Sequence, residues 1–151
     1  MPAASLIPLK YVVGIDIAKD TFVACFGRIE ATQRLRFGKQ ATFPNTAAGF
    51  VDLLSWTTRQ HVTSAPLWFI VEATGVYYEE LAYFLADKAQ ALSVLLPNKA
   101  KHFAQSTEQK SKTGQLDARL LCRLGLERVL PAWQPPSAAL RQLRALARER
   151  Q

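Results

Sequence analysis

The chain has 151 residues, 49% of them hydrophobic, and a formal net charge of +7. That length accommodates one domain with a real core, while no run of 18 apolar residues and no basic, apolar leader occurs, so neither a membrane span nor a secretory signal is expected and the cytoplasm is the expected location. Residues 1–97 hold eight Lys/Arg against eight Asp/Glu, residues 98–128 seven against three, and residues 141–150 four against one, so the excess lies in the last third, the footprint of a polyanionic partner.

Residues 1–10 read as a disordered leader. Val12, Val13, Ile15 and Ile17 then form a nearly continuous β-branched run, as in a strand covered on both faces, with Asp16 in its midst. An ionised carboxylate there must sit at an exposed strand end, be paired, or hold a metal. The turn Ala18-Lys19-Asp20 leads to a second strand from Thr21 to Phe26, and Ala31 to Phe37 alternates as a third, giving an antiparallel meander. Pro44-Asn45-Thr46 is a turn and helix cap before Phe50, Leu53, Leu54 and Thr57, which recur at helical spacing up to about Gln60. His61 reads as a surface side chain without a partner.

Pro66 to Val71 repeats the first design, a buried run that delivers Glu72 to its C-terminal end, where open α/β sheets place their ligands. Tyr77, Tyr78, Leu81, Phe84 and Leu85 imply a second helix, and Ala91 to Leu96 a further buried strand stopped by Pro97. Lys99, Lys101, Lys110 and Lys112 then make a basic segment with Glu108 opposing. Thr113-Gly114 is expected to open a helix carrying Leu116, Leu120, Leu121 and Leu124, with Asp117 in its first turn, where an acid also suits the helix dipole, and with Arg119 and Arg123 as further phosphate contacts. Cys25 and Cys122 read as buried free thiols, since no CxxC or Cys/His cluster is present. Trp133, between Pro131 and Pro135, is expected to plug a core edge. Residues 131–151 read as the start of a truncated helical, coiled-coil-like linker, where Leu140, Leu143 and Leu146 alternate with Arg141, Arg144, Arg148 and Arg150 and offer a route to a homo-oligomer.

Strand, strand, strand, helix, strand, helix, strand, helix, with acids at the ends of the first and fourth strands and at the last core helix, is the ribonuclease H-like plan. Acids distant in sequence converge there at one sheet edge to hold two Mg²⁺ ions roughly 3.5–4 Å apart. The segments Val13 to Asp20, Val71 to Tyr77, Pro97-Asn98-Lys99 and Lys112 to Ala118 resemble the N-terminal RuvC-like DEDD domain of the IS110/IS1111 transposases. Residues 11–130 would be that domain. The resemblance implies DNA strand cleavage and joining, Mg²⁺ with Mn²⁺ as substitute, Asp16, Glu72 and Asp117 as catalytic metal ligands, a C-terminal serine domain in the full-length protein, and a guide RNA beside DNA as partners. One position departs from the pattern: the family's helix motif reads Lys-Thr-Asp-x-x-Asp-Ala, and Gly114 stands where the third acid belongs, with Asp20 and Glu108 as candidate substitutes. A catalytically impaired nucleic-acid-binding domain is therefore the alternative, followed by a Holliday-junction-type nuclease and an actin-like kinase. The last needs Gly-rich phosphate loops, and the seven glycines form no GG or GxG.

Overall fold

The computed structural model describes residues 7–106, 116–137, 142–143 and 145–147. Strands β1 (Pro8–Ile17), β2 (Thr21–Glu30), β3 (Leu35–Pro44), β4 (Leu67–Glu72) and β5 (Leu92–Leu95) form one sheet in the order β3-β2-β1-β4-β5. The first three run antiparallel, and β4 and β5 join parallel to β1 and to each other. β1 is thus central, which is why its apolar run is continuous and fully buried from Tyr11 to Ile15.

The pleat sorts β1 into two faces. Tyr11, Val13, Ile15 and Ile17 join Phe69 and Val71 beneath helices α1 (Ala47–Gln60) and α2 (Glu79–Asp87). Val12 and Ile70 point to the opposite core, built with α3 (Pro97–Ser106) and α4 (Ala118–Glu127). By the same alternation Gly14 and Asp16 lie on the α4 side of β1, and Glu72 on the α4 side of β4. Helix α4 comes close enough that a Cβ on Gly14 would meet the Ala118 carbonyl oxygen at 2.2 Å and the Cys122 nitrogen at 2.3 Å. Cys25 and Cys122 are both buried and free, as expected, and the Cys122 thiol donates to the Val12 carbonyl at 3.3 Å.

Several boundaries differ from the sequence reading. The first strand begins at Pro8, so residues 8–10 belong to the sheet rather than to a leader, and Lys10 donates to the Gly125 carbonyl at the end of α4. The third strand is Leu35–Pro44, not 31–37: the Ala31–Gln33 turn is closed by bonds from Gln33 N to Glu30 O and from Glu30 N to Arg34 O, and Gln33 takes a positive φ of 70°. A bulge between Cys25 and Gly27 interrupts the β2–β3 register, and β3 is an exposed edge strand, so its apolar alternation does not show. Helix α1 is capped as expected, with the Thr46 hydroxyl accepting from Gly49 N at 3.2 Å. Tyr77 and Tyr78 precede α2 rather than start it. His61 is not partnerless: its Nε2 lies 2.7 Å from the Ala65 carbonyl, and its ring meets Tyr11 edge-on. Trp133 does close a core edge, with its backbone N–H donating to the Leu92 carbonyl and its ring against Tyr83. Of the Arg/Leu segment, 142–143 and 145–147 are helical, with Leu143 and Leu146 exposed; Leu140 and all four of its arginines lie outside the described residues. Among the described residues no helix is long and apolar enough to cross a membrane.

Candidate functional site

Parallel pairing of Ile15 with Val71 places the next residues, Asp16 and Glu72, side by side at the C-terminal ends of adjacent strands. Asp117 arrives from the third direction. It is the N-cap of α4 rather than a member of its first turn, and its Oδ1 accepts the Leu120 N–H at 2.8 Å. The contact between Gly14 and the first turn of α4 sets that cap over the end of β1, two residues before Asp16 on the same face.

Asp16 and Glu72 both feel the gathering of negative charge. Burial raises the Asp16 pKa, and the negative charge of Asp117 raises it further. Burial is also the largest cause of the raised Glu72 pKa, with Asp16 adding to it; a hydrogen bond from the Leu116 backbone and one from the Thr74 side chain partly oppose the rise. Asp16 is therefore the hub, coupled to both other acids. Among the described residues none of the three has a lysine or arginine partner: the ion pairs there are Arg28 and Arg36 with Glu30, and Arg123 with Glu127. Lys19, three residues after Asp16, makes no such pair among the described residues. Among those residues, too, no three His, Cys, Asp or Glu side chains close into a cage around one ion. The donor set suits a hard cation that takes one or two carboxylates and keeps the rest of its shell for water or phosphate oxygens, the habit of Mg²⁺. Exposed Asp16 and Asp117 leave that side open.

Asn45 contributes a restraint that sequence reading missed. Its Nδ2 donates to the Ala18 carbonyl at 3.0 Å and the Tyr77 carbonyl at 3.1 Å, so one amide ties the turn after Asp16 to the turn after Glu72. An Asn in a turn is its only sequence signal. Thr74 and Leu116, the donors to Glu72, lie within the segments that carry the family resemblance, but nothing in the sequence pointed to that role.

The candidate phosphate contacts divide. Lys99 and Lys101 are exposed on α3. Arg119 is exposed and lies over the Phe37 ring, 4.7 Å from its centroid, while Arg123 pairs with Glu127 within α4. Lys110, Lys112, Gly114 and Glu108 lie outside the described residues.

A family model described as transposase, for the DEDD transposases of the IS110 type, matches residues 13–151. The pilin gene-inverting proteins of Moraxella lacunata and Moraxella bovis are each 37% identical to the chain over 142 residues, covering 94% of it and 42% of their own length. The chain thus spans well under half of these curated relatives. Among solved structures, T. thermophilus RuvC in complex with a Holliday junction substrate superposes with a TM-score of 0.51 at 13% identity, over 82% of this chain and 99% of that one. This likeness shows the ribonuclease H-like fold expected from the order of elements.

Proposed function

Because this chain belongs to the IS110-type DEDD transposases, we propose that it is the part of a DNA recombinase that cleaves and rejoins DNA strands on a divalent cation held by Asp16 and Glu72, with Asp117 drawn in as the third ligand when the cation binds. The observation that carries this reading is the parallel register that sets Asp16 beside Glu72 at adjacent strand ends, with Asp117 at the cap of α4 on the same face and no basic partner to any of the three among the described residues. Carboxylates brought near one another favour a bound cation or a proton, either of which relieves their repulsion. When bound, Mg²⁺ would activate the attacking oxygen and stabilise the leaving one. The residues of the chain do the rest. Asp16 and Glu72, fixed by adjacent strands, define the floor of the site; the Leu116 N–H and the Thr74 side chain orient Glu72, and the cap bond to Leu120 occupies one oxygen of Asp117, while the other has no hydrogen-bond partner among the described residues. Lys99 and Lys101 would draw the DNA backbone by its charge. The full-length activity would further require a C-terminal serine domain and a guide RNA.

Asp117 offers a test that separates metal binding from folding. Asp117→Asn keeps an N-cap oxygen and should melt within a degree or two of the wild type, whereas Asp117→Ala should cost about 1 kcal/mol. Both should weaken Mn²⁺ binding alike, measured by calorimetry. Equal metal affinity in all three proteins would remove Asp117 from the site.

Charge carries the DNA prediction. With both lysines replaced, Lys99→Gln and Lys101→Gln, the slope of log affinity against log salt should fall by about two units, with sequence preference unchanged. Fluorescence anisotropy on duplex DNA over a salt series measures it, and an unchanged slope would move the DNA path off α3. The missing third acid gives a gain-of-function counterpart: Gly114→Asp should tighten Mg²⁺ and Mn²⁺ binding by restoring one oxygen ligand and one charge. Unchanged affinity would mean that another acid already serves there.

A further inference from the structure

Arg28 on β2 and Arg36 on β3 are direct cross-strand partners. Like charges facing each other across a sheet are destabilising unless something neutralises them. Glu30, fully buried, does half of that work: its Oε1 accepts from Arg36 Nε at 2.9 Å, and its Oε2 lies 3.3 Å from Arg28 Nη2. Two guanidinium groups against one carboxylate leave one positive charge over. Arg28 Nε is buried with no hydrogen-bond acceptor among the described residues, although both arginine side chains keep more than a third of their surface exposed. Beside them opens a cleft of about 340 Å³ lined by Tyr11, Phe26, Arg28, Arg36, Phe37 and Gln60. The Tyr11 and Phe26 rings, buried at its floor, lower the local dielectric beside the arginines.

This cleft is remote from the acids. Tyr11, the cross-strand partner of Arg28, precedes Asp16 by five residues, about 17 Å along an extended strand. It also lies on the α1/α2 face of the sheet, whereas Asp16 lies on the α4 face.

We propose that this cleft is a second nucleic-acid contact, in which Arg28 and Arg36 together take one backbone phosphodiester. A phosphodiester carries the single negative charge that the Arg–Glu–Arg group lacks, and paired planar guanidinium groups match its oxygens. DNA and RNA offer the same group. The proposal shares the nucleic-acid partner of the reading above but not its metal chemistry, so its test is run in EDTA.

Gln60, at the end of α1, lines the cleft without entering the Arg–Glu–Arg group, so it can be changed while that group stays intact. Gln60→Glu places a negative charge in the cleft, and Gln60→Ala removes the side chain without adding one. By anisotropy with labelled single-stranded DNA and RNA of one sequence, Gln60→Glu should lower affinity about tenfold, the scale of one charge-assisted hydrogen bond, and reduce the salt slope by about one unit. Gln60→Ala should leave both near wild type. Loss confined to one polymer assigns the contact to that strand. In the wild type, oligonucleotide should also shift the side-chain Nε–H resonances of Arg28 and Arg36. Unmoved resonances, or Gln60→Glu binding both polymers like the wild type, would overturn the proposal. If salt-dependent binding persists and still answers to Lys99 and Lys101, the reading of the carboxylate site survives that failure.

Discussion

Gly14→Ala should destabilise the domain by about 3 kcal/mol or more, a large part of the total stability of a domain of this size. The added methyl would meet two backbone atoms of α4, Ala118 O and Cys122 N, well inside contact distance. No rotamer change can move backbone, so the helix must lift from β1 as a body. It would take with it the buried leucines of α4 and the cap at Asp117. Gly27→Ala provides the contrast, because its methyl meets chiefly the Cys122 Sγ at 2.5 Å, the end of a side chain. Pairing it with Cys122→Ala should recover most of its loss, and the same second change should not rescue Gly14→Ala. Chemical denaturation of the four proteins distinguishes these outcomes; a Gly14→Ala protein as stable as the wild type would mean that α4 does not sit so close.

Asp16→Asn should do two opposite things at once: make the metal-free domain more stable at neutral pH and eliminate divalent-metal binding and, in a full-length protein, strand cleavage. Stabilisation follows from removing the hub of the repulsion among the three acids. The pH dependence has the same origin. Burial, with Asp117 second, raises the Asp16 pKa, so the folded state binds that proton more tightly than the unfolded chain. The stabilising effect of protonation is therefore fully present below the ordinary aspartate value and lost as pH rises through the raised folded value. Wild type without metal should melt higher at acidic than at neutral pH across that window, and Asp16→Asn should flatten the trend. Adding Mn²⁺ at neutral pH should then raise the melting temperature of the wild type and leave that of Asp16→Asn unmoved. A variant less stable than wild type throughout, with the metal effect intact, would show that Asp16 is a structural carboxylate.

Much of this arrangement could be read from the chain because β1 and β4 are buried on both faces. A continuous apolar run broken by one acid at or near its C-terminal end stands out, and Asp16, one residue before the end of β1, and Glu72, the last of β4, each mark one. Parallel pairing of two such strands then brings the acids together without any further information. Asp117 was harder, since an acid at a helix start serves the helix dipole and the cap as well as a metal, and its bond to Leu120 shows that it does serve the cap. What sequence could not supply depends on register. The bulge after Cys25 realigns β3 so that Arg36 faces Arg28, and no local pattern encodes that bulge. Asn45 reaches one turn 27 residues before it and another 32 residues after it. Gly14 drew no notice in the sequence, yet it is the point on which α4 is seated.

The central claim is that Asp16, Glu72 and Asp117 form one divalent-cation site. Water-proton relaxation during a Mn²⁺ titration tests it directly when run on the wild type, on Asp16→Asn, Glu72→Gln and Asp117→Asn, and on Glu127→Gln, whose carboxylate pairs with Arg123 instead. The account predicts binding to the wild type and to Glu127→Gln with equal affinity, weakened binding to Glu72→Gln and Asp117→Asn, and none to Asp16→Asn. Mn²⁺ binding equally well to all five would contradict it.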